Sequence, residues 1–321
     1  MSNLIDIPAA ADFLRSCQDV YILIHVNPDG DCIGSGYSLQ AVLKLLGKRA
    51  KVICADPIPE RFHFLLPEEP EEEFPAKNIV SVDCADESRF GETLQKEYAG
   101  KVQLCIDHHI SNDGYAEYAH VEPDASSACE VLYKIYRELG VKFTKQIAEC
   151  LYTGIATDTG CFKFSCTGAD THLFVSEIMR EFPEIRYDLI NREMFVVKSP
   201  SRIRAEMLML SQMEYHLDGK CTMIWETKEI CEENQINQKD MEGLTSLPLQ
   251  PEGVEVGITL REQDDNWYRV SLRSADKVNV SEICMKFGGG GHVKAAGCLL
   301  QGTADEVRQI LLNAVAEALQ S

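Results

Sequence analysis

Three short apolar runs, residues 20–24, 79–82 and 102–106, carry no polar alternation, and each stops at an acid or an imidazole: His25, Asp83 and Asp107-His108-His109. A strand with one solvated face alternates apolar and polar residues, whereas an unbroken apolar run belongs to a strand buried on both faces. Stretches of helical periodicity lie between these runs. The alternation predicts an α/β chain built on a parallel sheet. Ligands in such sheets sit beyond the carboxyl ends of the strands, which is where these acids and imidazoles fall.

In chain order, a short helix is expected over residues 7–17 and a strand over 20–25. A turn, His25-x-x-x-Asp29-Gly30-Asp31, then leads to a helix ending near Gly47, a suitable C′ glycine. A second strand follows at 50–54. Residues 56–76, rich in Pro and holding Glu68, Glu69, Glu71, Glu72 and Glu73, read as a solvated loop with a short helix. Residues 127–139 form a helix closed by Gly140, and Thr144 caps another whose stripe Ile147, Leu151, Ile155 continues to Asp158. Beyond residue 185 the pattern changes. Ser199-Pro200 opens a helix in which Ile203, Met207 and Leu210 follow at helical spacing. Strands are expected near 215–225, 254–261 and 267–273, the last two joined by the turn Gln263-Asp264-Asp265-Asn266, with a closing helix at 303–319. The expected organisation is a catalytic domain over 1–185, a helical connector over 186–213 and a smaller α+β domain over 214–321.

Carboxylates and imidazoles without a cysteine partner favour Mn²⁺ or Mg²⁺ over structural zinc. Asp29 and Asp31, one residue apart about Gly30, can reach two adjacent ions. A pair of ions about 3.5–4 Å apart is a device for hydrolysing phosphate esters. A net charge of −20, from 51 acidic and 31 basic residues, repels long duplex nucleic acid and points to a short anionic substrate. Thirteen cysteines, an odd number with no C-x-x-C pair, argue for reduced thiols in a cytoplasmic protein. No signal peptide is legible, and no apolar run approaches the ~20 residues of a membrane helix. The second cluster is Phe287-Gly288-Gly289-Gly290-Gly291-His292, followed by Lys294-Ala-Ala-Gly297. Its consecutive backbone N–H groups can cradle a phosphate, with helices expected at 280–286 and from about 293. Arg273, at a strand end, is a candidate clamp for a second phosphate oxygen.

In this order, His25-x-x-x-Asp29-x-Asp31, Asp83, Asp107-His108-His109 and Thr153-Gly-Ile-x-Thr-Asp158-Thr-Gly resemble the DHH phosphoesterase domain. Phe287-Gly-Gly-Gly-Gly-His292 with Ala295-Ala-Gly297 resembles the DHH-associated C-terminal domain, and the whole is similar to the stand-alone oligoribonuclease (nanoRNase) / pAp-phosphatase branch. The resemblance implies two Mn²⁺, with Mg²⁺ the alternative. One would take His25, Asp29 and Asp83; the other Asp31, Asp83, His108 and Asp158. It implies that His109 faces the scissile phosphate, that Asp107 holds an imidazole in place, and that Arg273, Gly289, Gly290, Gly291 and His292 hold the substrate's other phosphate. The implied reaction is a two-metal hydroxide attack in an interdomain cleft, converting di- to pentanucleotides to mononucleotides and pAp to AMP. Two rival readings are a phosphodiesterase for cyclic di-AMP or pApA and a non-catalytic nucleotide-binding regulator. Long duplex nucleic acid and membranes are not expected partners, and the oligomeric state, monomer or homodimer, is left open.

Overall fold

A computed structural model describes residues 2–68, 72–236, 238–241, 243–264 and 266–320; Glu69, Glu71 and Asp265 lie outside the described residues. The chain forms two compact units, Met1–Val197 and Lys198–Ser321.

The first unit runs β1 (Asn3–Leu4), α1 (Ile7–Ser16), β2 (Val20–Leu23), α2 (Gly30–Leu45), β3 (Ala50–Ile53), β4 (Asn78–Val82), α3 (Glu92–Tyr98), β5 (Leu104–Asp107), β6 (Tyr118–Val121), α4 (Ala128–Leu139), α5 (Lys145–Asp158), α6 (Ala169–Glu181) and α7 (Tyr187–Phe195). Its six strands are all parallel, in the order β1-β6-β5-β4-β2-β3. Alternate residues of β2, with Ile24 just after it, serve two cores. Val20, Ile22 and Ile24 pack with α1, α2, α4 and α5, while Leu23 packs with Phe90, Leu94 and Tyr98 on the opposite face. Burial on both sides is why the run shows no polar alternation. The chain leaves β2 for β3 on one side and returns to β4 on the other, so a topological switch lies between β2 and β4. In the Pro/Glu-rich loop, a 3₁₀ turn over Glu60–Leu65 buries Phe62 and Leu65, while Glu68, Glu72 and Glu73 are exposed.

The second unit runs α8 (Pro200–Ser211), β7 (Glu214–His216), β8 (Cys221–Glu226), α9 (Lys228–Glu233), α10 (Gln238–Met241), β9 (Val256–Glu262), β10 (Trp267–Ser274), α11 (Val280–Met285), β11 (Gly290–His292), β12 (Ala295–Gln301) and α12 (Ala304–Gln320). Its sheet has the order β11-β12-β10-β9-β8-β7, antiparallel except for the parallel pair β8–β9. The residues after His292, expected to be helical, are instead a strand. Val293 and Lys294 form the turn of a hairpin, and Ala296, Cys298 and Leu300 alternate inward at period two. Small Ala and Gly side chains hid that alternation. Residues 186–213 divide between the units: Tyr187 and Ile190 join the first core, and Ala205 and Met209 pack with Ile224, Met241 and Leu244 in the second unit. The stripe Ile203, Met207, Leu210 is exposed, at 47%, 66% and 45%, so it is not the buried face of α8. Among the described residues, no helix is long and apolar enough to cross a membrane.

Candidate metal centre

Three neighbouring strands end at the switch point and deliver His25, Asp83 and Asp107-His108-His109 to one edge. His25 is buried, and its Nδ1 lies 2.7 Å from the carbonyl of Val26. A proton donated there leaves Nε2 bare, 3.6 Å from Asp83 Oδ2 and 3.8 Å from Asp29 Oδ1. His108 repeats the device. Its Nδ1 lies 3.3 Å from the carbonyl of Ala125, and its Nε2 lies 3.3 Å from Asp158 Oδ2, 3.5 Å from Asp83 Oδ1 and 3.9 Å from Asp31 Oδ2.

The carboxylates come from helix ends as well as strands. Asp29 is the N-cap of α2 and accepts from the Cys32 amide at 3.0 Å. Asp31, on the first turn of α2, is fully buried and accepts from the Ala128 and Cys129 amides at 2.6 and 2.9 Å, at the N-terminus of α4. Asp158 ends α5. Asp83 follows β4 with φ +56°, a left-handed backbone sparsely populated outside glycine and held here by the packing around it.

The donor set fits divalent cations. Asp83 Oδ1 is buried with no hydrogen-bond partner among the described residues, an expensive state for a carboxylate unless something binds it. None of Asp29, Asp31, Asp83 and Asp158 pairs with a lysine or arginine among the described residues. The imidazole-to-carboxylate separations of 3.3–3.9 Å are long for hydrogen bonds; two donors sharing one cation at about 2.0–2.2 Å each stand about this far apart. Proton affinities tell the same story. Burial, and then the charge of Asp83, pushes Asp31 up to about 7. Burial, with Asp31 and Asp83, pushes Asp158 up to about 8. Burial opposes charge on His108, but Asp83, Asp31 and Asp158 outweigh it and push the imidazole up to about 10. Burial also opposes charge on Asp83, yet His108 and His25 hold it down at about 2. The crowded carboxylates therefore draw positive charge to themselves, as protons where no cation is bound.

His109 is built differently. Its Nδ1 lies 2.8 Å from Asp107 Oδ1, which also accepts the His108 amide at 2.8 Å, while Asp107 Oδ2 accepts from Asn112 Nδ2 at 2.7 Å. The hydrogen bond to Asp107, against the cost of burial, raises the His109 pKa. The His109 side chain is 41% exposed, so its Nε2 is free to face a ligand. Several contributors were given no role by the sequence: Asn112, the Ala128 and Cys129 amides, and Gly154, which lies inside the quoted motif that runs from Thr153 but shows its purpose only in the packing. A Cβ on Gly154 would stand 2.2 Å from Cys129 Sγ and 2.7 Å from Asp31 Oδ1. The Asn112-Asp113-Gly114 composition signals a turn but not its contact with Asp107.

In the second unit, Arg273, Gly289 and Gly290 line a groove of about 1000 Å³ with Arg269, Trp267 and Phe287; Gly291 and His292 are not among its lining residues. Arg273 donates to the Leu272 carbonyl and Thr245 Oγ1 at 3.1 and 3.2 Å. Burial lowers its pKa, and no carboxylate pairs with it among the described residues. The glycine run is not an open row of amides. Gly288 and Gly289 donate to the Met285 and Cys284 carbonyls, closing α11, and Gly290–His292 pairs with β12. At Gly289 a Cβ would meet the Gly297 carbonyl at 2.2 Å.

Comparison with known proteins agrees with this division. Residues 19–155 match the model of the DHH family, N-terminal domain, and residues 224–321 match the DHHA1 domain. The chain is 33% identical to the bifunctional oligoribonuclease and PAP phosphatase NrnA of Thermus thermophilus, over 96% of this chain and 93% of that protein. It superposes on the crystal structure of an exopolyphosphatase-related protein from Bacteroides fragilis with a TM-score of 0.85 and 26% identity, covering 97% of this chain and 95% of that one. RecJ of Thermus thermophilus, crystallised with Mn²⁺, shares the fold at a TM-score of 0.62 and 13% identity, covering 98% of this chain and 55% of RecJ.

Proposed function

The chain belongs to the DHH family, in the branch that joins a DHH domain to a DHHA1 domain, and from that premise we propose that it is a phosphoric ester hydrolase that cleaves short oligoribonucleotides and pAp. The observation that carries the reading is the convergence of the His25 and His108 Nε2 atoms on four carboxylates with no lysine or arginine partner among the described residues, one of which, Asp83, has an oxygen with no hydrogen-bond partner. His25, Asp29 and Asp83 would hold one divalent cation; Asp31, Asp83, His108 and Asp158 would hold the other. When bound, such cations supply Lewis-acid stabilisation of phosphoryl oxygens and a nucleophile at neutral pH.

The other residues act on the substrate. His109, oriented and charged by Asp107, donates from Nε2 to a phosphoryl oxygen or to the departing ribose oxygen. Asp107 keeps that imidazole in place through its hydrogen bonds to two amides and Asn112. Arg273, an arginine without an acidic partner, binds the non-scissile phosphate. Gly289 and Gly290 line the groove with it. Gly291 and His292 continue from them into the adjoining hairpin, where they would meet only a substrate that reaches past the groove. Trp267 and Phe287 offer faces on which a base stacks. An acidic chain that contacts only a few phosphates disfavours long strands and favours short ones.

The test is turnover of pAp, pApA, a 5′-phosphorylated RNA pentamer and cyclic di-AMP by protein stripped of metal and resupplied with Mn²⁺. Mononucleotide release from pApA and the pentamer, with AMP from pAp, is expected. Preferential cleavage of cyclic di-AMP would move the assignment to a cyclic-dinucleotide phosphodiesterase. Inertness toward all four would overturn it.

A further inference from the structure

Cys32 stands inside the metal cage, although nothing in the hydrolytic scheme uses it. It sits on the first turn of α2, one residue after Asp31, and is fully buried. Its Sγ accepts the His25 amide at 3.3 Å. One donor atom each from His25, Cys32 and Asp83 lie within 4.8 Å of one another, close enough to share an ion. Among the described residues, it is the one cysteine in any such three-donor group. The Asp83 carboxylate turns Oδ2 toward His25 Nε2 at 3.6 Å, and His25 Nδ1 lies 2.7 Å from the carbonyl of Val26.

Sulfur gives such a group a selectivity that the oxygen and nitrogen donors lack. Mn²⁺ and Mg²⁺ prefer carboxylate and imidazole, whereas thiolate selects zinc-like ions. We infer that His25, Cys32 and Asp83 form a capture site for a thiophilic divalent cation, Zn²⁺ or Cd²⁺, in which Cys32 is recruited as a ligand that Mn²⁺ and Mg²⁺ leave alone. As the sulfur–metal bond forms, the thiol proton passes to solvent; nothing is oxidised or reduced. The captured ion occupies the His25 side of the cage in place of Mn²⁺, so the chain is inhibited by zinc at concentrations set by one thiol. The inference rests on reading the cage as a cation site and adds to it the identity of the ion that poisons it.

The experiment uses the full-length wild-type protein loaded with one equivalent of Zn²⁺. X-ray absorption at the zinc edge should show one sulfur at about 2.3 Å beside nitrogen and oxygen ligands. Titration with Cd²⁺ should give a sulfur-to-cadmium charge-transfer band in the first equivalent. Cys32→Ser, whose hydroxyl can still accept the His25 amide, should lose that band, while Cys166→Ser, at the one exposed cysteine among the described residues, should keep it. The Zn²⁺ concentration that halves Mn²⁺-supported turnover, each protein scaled to its own rate, should rise at least about tenfold in Cys32→Ser, the scale of losing one supporting group at a metal site. A zinc shell without sulfur in the wild type, or an undiminished band in a Cys32→Ser protein that still takes up Mn²⁺, would overturn the inference and leave the cage standing. Failure of the wild type to take up Mn²⁺, Zn²⁺ or Cd²⁺ would overturn both.

Discussion

Gly154→Ala isolates how tightly the cage is built, because the atoms nearest the new methyl group belong to Asp31 and its support Cys129. The new Cβ would lie 2.2 Å from Cys129 Sγ, 2.7 Å from Asp31 Oδ1 and 3.0 Å from Cys129 Cβ. Ordinary contacts between non-bonded heavy atoms are about 3.5–4.0 Å, so the sulfur must retreat by about 1.3 Å or more and the carboxylate by about 0.8 Å or more. Both neighbours are fully buried, and the Cys129 amide is itself one of the two that hold Asp31. Moving α4 therefore moves the carboxylate. Overpacking costs about 1–3 kcal/mol, offset by about 0.8–1 kcal/mol from the better helix propensity of alanine. The net loss is then about 0–2 kcal/mol, read as a lower urea midpoint. A displacement of about 1 Å in a reacting constellation costs on the order of 10²-fold in rate, and that is the expected fall in Mn²⁺-supported pApA turnover. Cys129→Ala in the same chain removes the sulfur, the harsher clash, and should restore at least about tenfold of the lost rate. A Gly154→Ala protein stabilised like one with an ordinary helical glycine replaced, with turnover within about twofold of wild type, would show that the cage has slack at this position.

Asp107→Asn removes the charge that raises the His109 pKa. A donor imidazole works while protonated, so the alkaline limb of the kcat profile should move to lower pH, with Mn²⁺ uptake retained; an unmoved limb removes His109 as the donor. Arg273→Ala should raise KM for pAp and pApA by about 10–100-fold, as loss of a charge-assisted bond worth about 1.5–3 kcal/mol implies, with a smaller effect on kcat. Loss of kcat alone would place that guanidinium at the reacting phosphate instead. Stripping metal with a chelator should abolish turnover, and Mn²⁺ at about 100-fold its Kd should raise unfolding stability by about 2.7 kcal/mol per site, seen as a higher Tm; an unchanged Tm contradicts binding to the folded cage.

The site was legible where one residue type in one place has a chemical meaning. His25, Asp83 and Asp107 stand out because apolar strands run into them, and the parallel sheet follows from the same runs. Asp158 was visible as the end of a helical stripe. What stayed hidden depends on distant partners. The amides holding Asp31 lie 97 and 98 residues away, and Gly154 is required by a cysteine on another helix, which no local pattern records. Period and size misled elsewhere. The Ala-Ala-Gly run after His292 is too small to show strand alternation, and the stripe Ile203, Met207, Leu210 has helical spacing yet faces outward. The glycine run suggested a row of free amides, but two of them close α11 and three residues join the hairpin.

If the cage at the ends of β2, β4 and β5 holds divalent cations through Asp83, metal uptake depends on that one carboxylate. Counting bound Mn²⁺ after equilibrium dialysis, in wild type and in Asp83→Asn, tests it most directly. Asparagine tolerates the left-handed backbone at this position and matches aspartate in shape, so the substitution removes charge rather than fold. Two tightly held ions per chain in the wild type, and none retained tightly in the variant, is the predicted result. Equal Mn²⁺ uptake by the two proteins, or none by either, would contradict it.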